Sequence, residues 1–334
     1  MAVNVDLIIP GLFDLPVDEL DPGFLNLELP ALNRFLRFSR PCQNQAFDLE
    51  PMLIEAMGWT GLQTLPFAQA YAEQELRDSD NLLLFRAIHL KADMHNAIVV
   101  PLEENQANDQ DVDIIINDLR DLFKVDCDIT RLPNRLWLMH LKQCTPTQHY
   151  PHYLSVLGRK ADPFIQQSKQ ALPWYRLMNE MQMFMHQHES NRNRFESGLL
   201  PVNSLWFWGA GKLSGLATNN IDWYCDDPLL KQFASVVNID CAGLDNVQTT
   251  TFVRDTIIVD LSLLEALKSS GETRLQALLS NLEERLFNPL LHLIRARRCV
   301  LRLRSGAQLD LKMTAFSAYQ WWKQSKSLVD RTGY

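Results

Sequence analysis

Three polar residues that could bind a ligand, Asn179, Gln182 and His186, are separated by three and four positions in the sequence. A helix places residues at this spacing on one face. The apolar residues around them recur at helical spacing and predict a helix over 174–188. Two amides and an imidazole on one face are suited to holding an anion or orienting a ligand hydroxyl. The same groups are equally suited to capping a neighbouring loop, and both interpretations stay open.

A second set of candidates follows this helix and ends at a Gly-Ala-Gly sequence. An arginine binds two oxygens of a carboxylate or phosphate, and glycines let backbone N–H groups approach an anion closely. We therefore predict an anion-binding cleft in which His186 meets Asn191, Arg194, Asn203, Gly209 and Gly211. The alternative is that Arg194 pairs with Glu180 or Glu189 and the amides cap loops.

Further cations lie outside this region. Lys160 follows Gly158-Arg159 and joins the candidate ligand-binding residues, although a solvated surface is the more common reason for such a pair. Arg302 and Arg304 alternate with leucines, so a strand would present both on one face, which we expect to be solvated.

Motifs for metal or nucleotide binding are weak or absent in this sequence. The close histidine pairs, at 149/152 and 186/188, have no convincing carboxylate partner nearby in the sequence, so no metal site is predicted. The sequence contains neither a Gly-x-Ser-x-Gly nucleophile motif nor a phosphate-binding Gly-x-x-x-x-Gly-Lys-Ser/Thr loop. The residues thus predict no cofactor.

The composition is that of a globular protein: 334 residues, 46% hydrophobic and 22% charged, with a net charge of −8. Residues 1–130 carry 23 acidic and 8 basic residues, whereas the remainder carries 17 and 24. A nucleic-acid-binding protein would show a larger basic excess. No apolar run reaches the ~18 residues of a membrane span. The six scattered cysteines and the lack of a visible signal peptide favour reduced thiols and a cytoplasmic location.

Strand-like and helix-like segments alternate along the chain, which predicts an α/β fold. Strands are expected at 5–9, 82–90, 97–100, 204–208 and 256–260, with a hairpin closing through Ser305-Gly306-Ala307. The polar segment 103–110 is expected to be a loop, and 314–327 a closing helix.

The segment from Asn191 through Pro201-Val202-Asn203-Ser204 to Gly211 resembles the cofactor-independent phosphoglycerate mutases of the archaeal type. It is more similar still to bacterial relatives described as regulators of pathogenicity-factor genes. Their Asn-Glu-x-Gln-Met…His signature corresponds to Asn179–Met183 followed by His186 or His188, and 88–94 is similar to a second signature. The specific resemblance covers roughly 82–215.

The resemblance implies an alkaline-phosphatase-like core, built from 1–81 and 201–334, with an inserted α+β domain at 82–200. It also implies two divalent metals held by Asp and His and a serine nucleophile. This sequence departs from that pattern: Pro10-Gly11 follows the first strand in place of Asp-Gly, Tyr153 replaces an expected aspartate, and His292 is the only histidine after His188.

These observations together predict a catalytically degenerate phosphoglycerate mutase-like protein with a regulatory role. Its expected partner is a small phosphorylated or carboxylate ligand or another protein, without nucleic acid or membrane. The alternatives are an active metal-dependent phosphomutase or phosphohydrolase and a purely structural interaction module.

Overall fold

In the computed structural model, two contact-defined units are present, one formed by 1–61 with 216–334 and the other by 62–215. The structure describes residues 2–13, 15, 27–43, 48–93, 96–102, 106–143, 150–161, 172–216, 220–248, 252–269, 272–306 and 309–317.

The first unit contains a seven-stranded mixed sheet with the order β2-β12-β11-β1-β10-β8-β9. Its strands are β1 (Val3–Ile8), β2 (Arg40–Gln43), β8 (Asp222–Cys225), β9 (Cys241–Ala242), β10 (Thr256–Val259), β11 (Cys299–Arg304) and β12 (Leu309–Met313). The five strands from β11 to β9 are parallel, and β12 and β2 are antiparallel at one edge. All four residues of β10 are buried, as expected for a parallel strand covered on both faces.

The helices of this unit lie between its strands in the sequence. They are α1 (Pro30–Phe38), α2 (Leu49–Met57), α8 (Pro228–Val236), α9 (Ser262–Ser269), α10 (Glu272–Leu282) and α11 (Asn288–Arg295). A π-helical turn at Glu283–Phe287 joins α10 to α11. Proline at the first position of α1 needs no N–H partner, and the next two amides donate to the carboxylate of Glu283. The start of α1 is therefore stabilised by a residue about 250 positions later in the chain.

The second unit has an antiparallel sheet of β3 (Leu82–Asp93), β4 (Asn96–Val100), β5 (Cys127–Leu132), β6 (Leu136–Leu141) and β7 (Ser204–Trp208). The long strand β3 pairs with β4, β6 and β7. Its helices are α3 (Phe67–Tyr71), α4 (Gln106–Leu122), α5 (Tyr153–Val156), α6 (Leu172–Gln187) and α7 (Glu189–Glu196). Buried tryptophans at 206 and 208 make β7 part of the hydrophobic core.

The α/β core with an inserted α+β domain is confirmed. The second unit spans 62–215, and β7 belongs to its sheet because it pairs along its whole length with β3. The domain bounds of 82 and 200 stay a prediction. Of the loop predicted at 103–110, residues 103–105 lie outside the described residues, and the prediction was wrong for 106–110, which are helical. The helix α4 begins before its apolar repeat does.

The hairpin of β11 and β12 is confirmed. The predicted closing helix falls mainly at 318–327, outside the described residues, and 314–317 forms a turn. Within the described part of the chain, every helix is too short or too polar to cross a bilayer.

Candidate functional site

The Asn191 side chain on α7 is buried and hydrogen-bonds three backbone groups. Its amide donates to the carbonyls of Met185, at 2.6 Å, and Val202, at 2.7 Å. Its oxygen accepts the Val202 N–H at 2.7 Å. Both hydrogens of the amide and an oxygen lone pair are therefore used to hold the segment that leads into β7.

Arg194 lies one turn further along α7, and its side chain is 1% exposed. Nε and Nη2 donate to the Leu200 carbonyl at 3.0 and 2.8 Å, and Nη1 lies 3.5 Å from the Asp111 carboxylate on α4. Arg194 thus fixes the other side of the same loop, and its acidic partner comes from a different helix.

Asn203 makes a two-way contact with the central strand of the insert. Its oxygen accepts the Leu90 N–H at 2.7 Å, and its amide donates to the Leu90 carbonyl at 3.0 Å. The neighbouring Ser204 hydroxyl accepts a hydrogen bond from Gln182 on α6 at 2.9 Å. These side chains supply cross-links between β7, β3 and α6.

The other predicted ligand-binding side chains lie on the surface. Asn179 and His186 are exposed on α6. Lys160 is also exposed, and its backbone forms an antiparallel bridge with Ile98 of β4. Gln182 is only half buried, so the predicted helical face runs from solvent towards β7.

Gly209 and Gly211 allow close approach to the protein's own chain. Gly209 has φ +76°, and a Cβ there would lie 3.0 Å from Cβ of Phe67. Gly211 has φ +145°, and a Cβ would lie 3.3 Å from Cβ of Pro66. The Gly209 carbonyl accepts the Ala68 N–H at 2.9 Å, so the turn packs against the start of α3.

The structure therefore gathers Asn191 and Arg194 around the loop 199–202, with Asn203 next to it. It leaves Asn179, His186 and Lys160 at the surface, and it packs the glycines on 66–68. Ligand binding by these residues stays a prediction.

Another polar cluster lies where the parallel strands of the first unit end. Ligands in open α/β sheets bind outside these carboxyl ends. Asp226 follows β8 directly, and its carboxylate lies 3.1 Å from the Arg285 guanidinium and 3.6 Å from Lys231 Nζ. Arg285, in the π-helical turn, also contacts Asp245 at 2.7 Å. Burial acts to raise the Asp226 pKa, but the Leu244 amide and Arg285 outweigh it and lower this pKa below its ordinary value.

Asp260 follows β10 and is 5% exposed. Its carboxylate accepts hydrogen bonds from the backbone N–H, at 2.9 Å, and the hydroxyl of Ser262. Burial raises the pKa of Asp260, although these hydrogen bonds and the charge of Arg285 act in the opposite direction. The carboxylate thus supports the start of α9 and contributes negative charge close to Arg285.

These residues do not fit the two-metal site that the resemblance implies. The segment after β1, Ile9-Pro10-Gly11, is buried and offers no carboxylate. Asp226 and Asp260 already accept hydrogen bonds or ion pairs. Within the described ranges, no group of three or more His, Cys, Asp or Glu side chains is arranged to hold a metal ion.

Sequence reasoning missed Asp226, Asp260 and Arg285. The signal for Asp260 was available, because it is an aspartate at the end of the strand predicted over 256–260. Arg285 carries no comparable signal, since its contact with Asp226 joins residues 59 positions apart.

The expectation of a solvated strand face at Arg302 and Arg304 was wrong. Arg304 is 2% exposed and lies 2.6 Å from Asp6 and 3.1 Å from Glu55. Both arginines contact Asp310, which is completely buried. Acidic side chains from β1, α2 and β12 converge on these arginines, which is a long-range arrangement that the alternation within β11 could not indicate.

Part of the chain is similar in sequence to a curated protein. Over 107 residues, the chain is 30% identical to a probable 2,3-bisphosphoglycerate-independent phosphoglycerate mutase from Geobacter sulfurreducens. The match covers 32% of this chain and 26% of that protein's length. No protein-family model matches the chain.

Two solved structures are similar to this chain at low identity. The cofactor-independent phosphoglycerate mutase from Thermoplasma acidophilum has a TM-score of 0.47 and 12% identity, covering 99% of this chain and 95% of that one. The PH0037 protein from Pyrococcus horikoshii has a TM-score of 0.48 and 15% identity, covering 94% and 87%. The sequence similarity to a probable 2,3-bisphosphoglycerate-independent phosphoglycerate mutase is limited to 107 residues of this chain.

Proposed function

We propose that this protein is a phosphoglycerate mutase-like protein that has lost two-metal catalysis and acts in regulation, by binding a small phosphorylated or carboxylate ligand or a protein partner. The observation that carries the proposal is the position of Arg285. Its guanidinium lies between the carboxylates of Asp226 and Asp245, and its charge acts on Asp260. A cation of the protein itself therefore balances the acidic groups at the strand ends.

The chemistry of the donor set supports the same conclusion. A two-metal hydrolase or mutase needs carboxylates and imidazoles whose lone pairs are open to the metals. The Asp226 carboxylate is held by Arg285, Lys231 and the Leu244 amide, and Asp260 is held by Ser262. A serine without such metals stays close to its ordinary pKa and is a weak nucleophile.

The proposal is tested by incubating the purified full chain with MnCl₂ and 3-phosphoglycerate and following the phosphorus NMR signals of substrate and product. We expect no conversion above a metal-only blank. Calorimetric titration with 3-phosphoglycerate in the absence of metal tests binding separately. Robust metal-dependent conversion would overturn the proposal in favour of an active phosphomutase or phosphohydrolase.

The role of Arg285 is tested with a variant of this residue and a matched control variant. In Arg285→Met, the carboxylates of Asp226 and Asp245 lose their contact with the guanidinium, so we expect Mn²⁺ to bind this variant more tightly than the wild type. Arg298→Met removes an exposed arginine from the same unit and should leave Mn²⁺ affinity unchanged. Equal Mn²⁺ affinity in all three proteins would contradict the role given to Arg285.

A further inference from the structure

Two cysteines lie side by side at the edge of the parallel sheet. Cys225 is the last residue of β8, and Cys241 is the first residue of the neighbouring edge strand β9. Their sulfur atoms are 3.3 Å apart, so one thiol donates to the other. Cys225 is completely buried, whereas Cys241 is partly exposed. A reagent from solvent would therefore meet Cys241 first.

The surroundings of the pair distinguish the two sulfurs. The hydrogen bond from Cys225 lowers the pKa of Cys241, despite the opposing effect of burial, and the charge of Lys231 acts in the same direction. The same hydrogen bond raises the pKa of Cys225, and burial adds to this effect. Burial raises the pKa of Cys299 to about 12. Of the two thiols in the pair, Cys241 is the better placed to react as a thiolate.

We propose that Cys241 and Cys225 form a peroxide-reactive dithiol that closes to a disulfide. The Cys241 thiolate attacks one oxygen of hydrogen peroxide, the O–O bond breaks, and the departing hydroxide takes a proton to give water. Cys241 is now a sulfenic acid. The Cys225 sulfur then attacks the Cys241 sulfur, the S–O bond breaks, and the thiol proton of Cys225 leaves with the hydroxide as a second water. Two thiols are oxidised and one peroxide is reduced.

The disulfide would form next to the polar cluster that contains Asp226 and Arg285, because Asp226 directly follows Cys225. The disulfide would tie the short edge strand β9, which contributes only two residues to the sheet, covalently to β8. The inference does not depend on the proposed function, since it requires neither a ligand nor the loss of metal catalysis.

The test treats the reduced, folded full chain with hydrogen peroxide, blocks remaining thiols under denaturing conditions and maps tryptic peptides by mass spectrometry. Lys231 lies between the two cysteines, so trypsin separates them and a disulfide appears as a linked peptide pair. We expect the linked pair to join Cys225 and Cys241 and to disappear on reduction. Peroxide treatment that leaves these two thiols unlinked overturns the proposal, whatever the behaviour of any variant.

Variants assign the order of the two steps. Cys225→Ala should stop the reaction at a sulfenic acid on Cys241, which a cyclic-dione reagent labels, whereas Cys241→Ala should give neither label nor disulfide. Cys299→Ala, the matched control from buried β11, should behave as the wild type. Circular dichroism verifies that each variant is folded. Sulfenic-acid labelling of Cys225 in folded Cys241→Ala would refute the assignment of Cys241 as the reacting thiol.

Discussion

Replacing Asn191 should destabilise the inserted domain strongly, because its side chain satisfies backbone groups in a buried loop. In Asn191→Ala, the N–H and carbonyl of Val202 lose their side-chain partner, and Val202 is completely buried, so water does not replace it. The Met185 carbonyl keeps a hydrogen bond from the His188 N–H. The variant leaves two backbone groups without their hydrogen-bond partner and weakens one further contact. We therefore expect the free energy of unfolding to fall by about 3–4 kcal/mol.

The assay is urea unfolding together with amide hydrogen exchange of 199–203, which reports on this loop directly. Asn179→Ala is the matched control: the same substitution on an exposed helix position should change the free energy of unfolding by less than about 0.5 kcal/mol. If Asn191→Ala unfolds like the wild type and exchange at Val202 is unchanged, the structural role given to Asn191 is refuted.

The variant Asn191→Asp tests separately whether the amide donor of Asn191 is required. The oxygen that accepts the Val202 N–H is kept, but the amide donor is replaced by an oxygen facing the carbonyls of Met185 and Val202. A protonated carboxyl restores one donor, so the variant's stability should fall as pH rises through the raised pKa of this carboxyl. A stability deficit that is the same at acidic and neutral pH would count against this geometry.

Two predictions concern the first unit. Arg304→Met should lower the free energy of unfolding in urea by about 3–5 kcal/mol, because the buried Asp310 and the partly buried Asp6 each lose a guanidinium contact. A loss below about 1 kcal/mol would contradict a buried network. Burial raises the pKa of Asp260, so its ionised form opposes folding, and this penalty grows as pH rises from the unfolded-state pKa through the folded-state pKa. The stability of Asp260→Asn relative to the wild type should therefore increase with pH across that window, and a pH-independent difference would exclude the raised pKa.

The sequence alone was sufficient to predict the helices and strands whose apolar residues repeat at a regular local spacing. The apolar repeat at 174–188 predicted α6, which the structure bounds at Leu172–Gln187. The alternation around Ser305-Gly306 predicted the β11–β12 hairpin. Side chains on one face of a helix or strand are neighbours because of the backbone period, so these features require no knowledge of distant residues.

Only the tertiary structure decided what the polar residues contact. Asp6 meets Arg304 across 298 positions of sequence, and Glu283 caps helix α1 across 252. Asn191 and Arg194, predicted to be anion ligands from their chemistry, hydrogen-bond backbone carbonyls in the structure, because an amide or guanidinium recognises a carbonyl oxygen as readily as it does a phosphate oxygen. The residue type specifies which hydrogen bonds are possible, but the fold determines which oxygen is near, and that depends on strand pairings far apart in the chain.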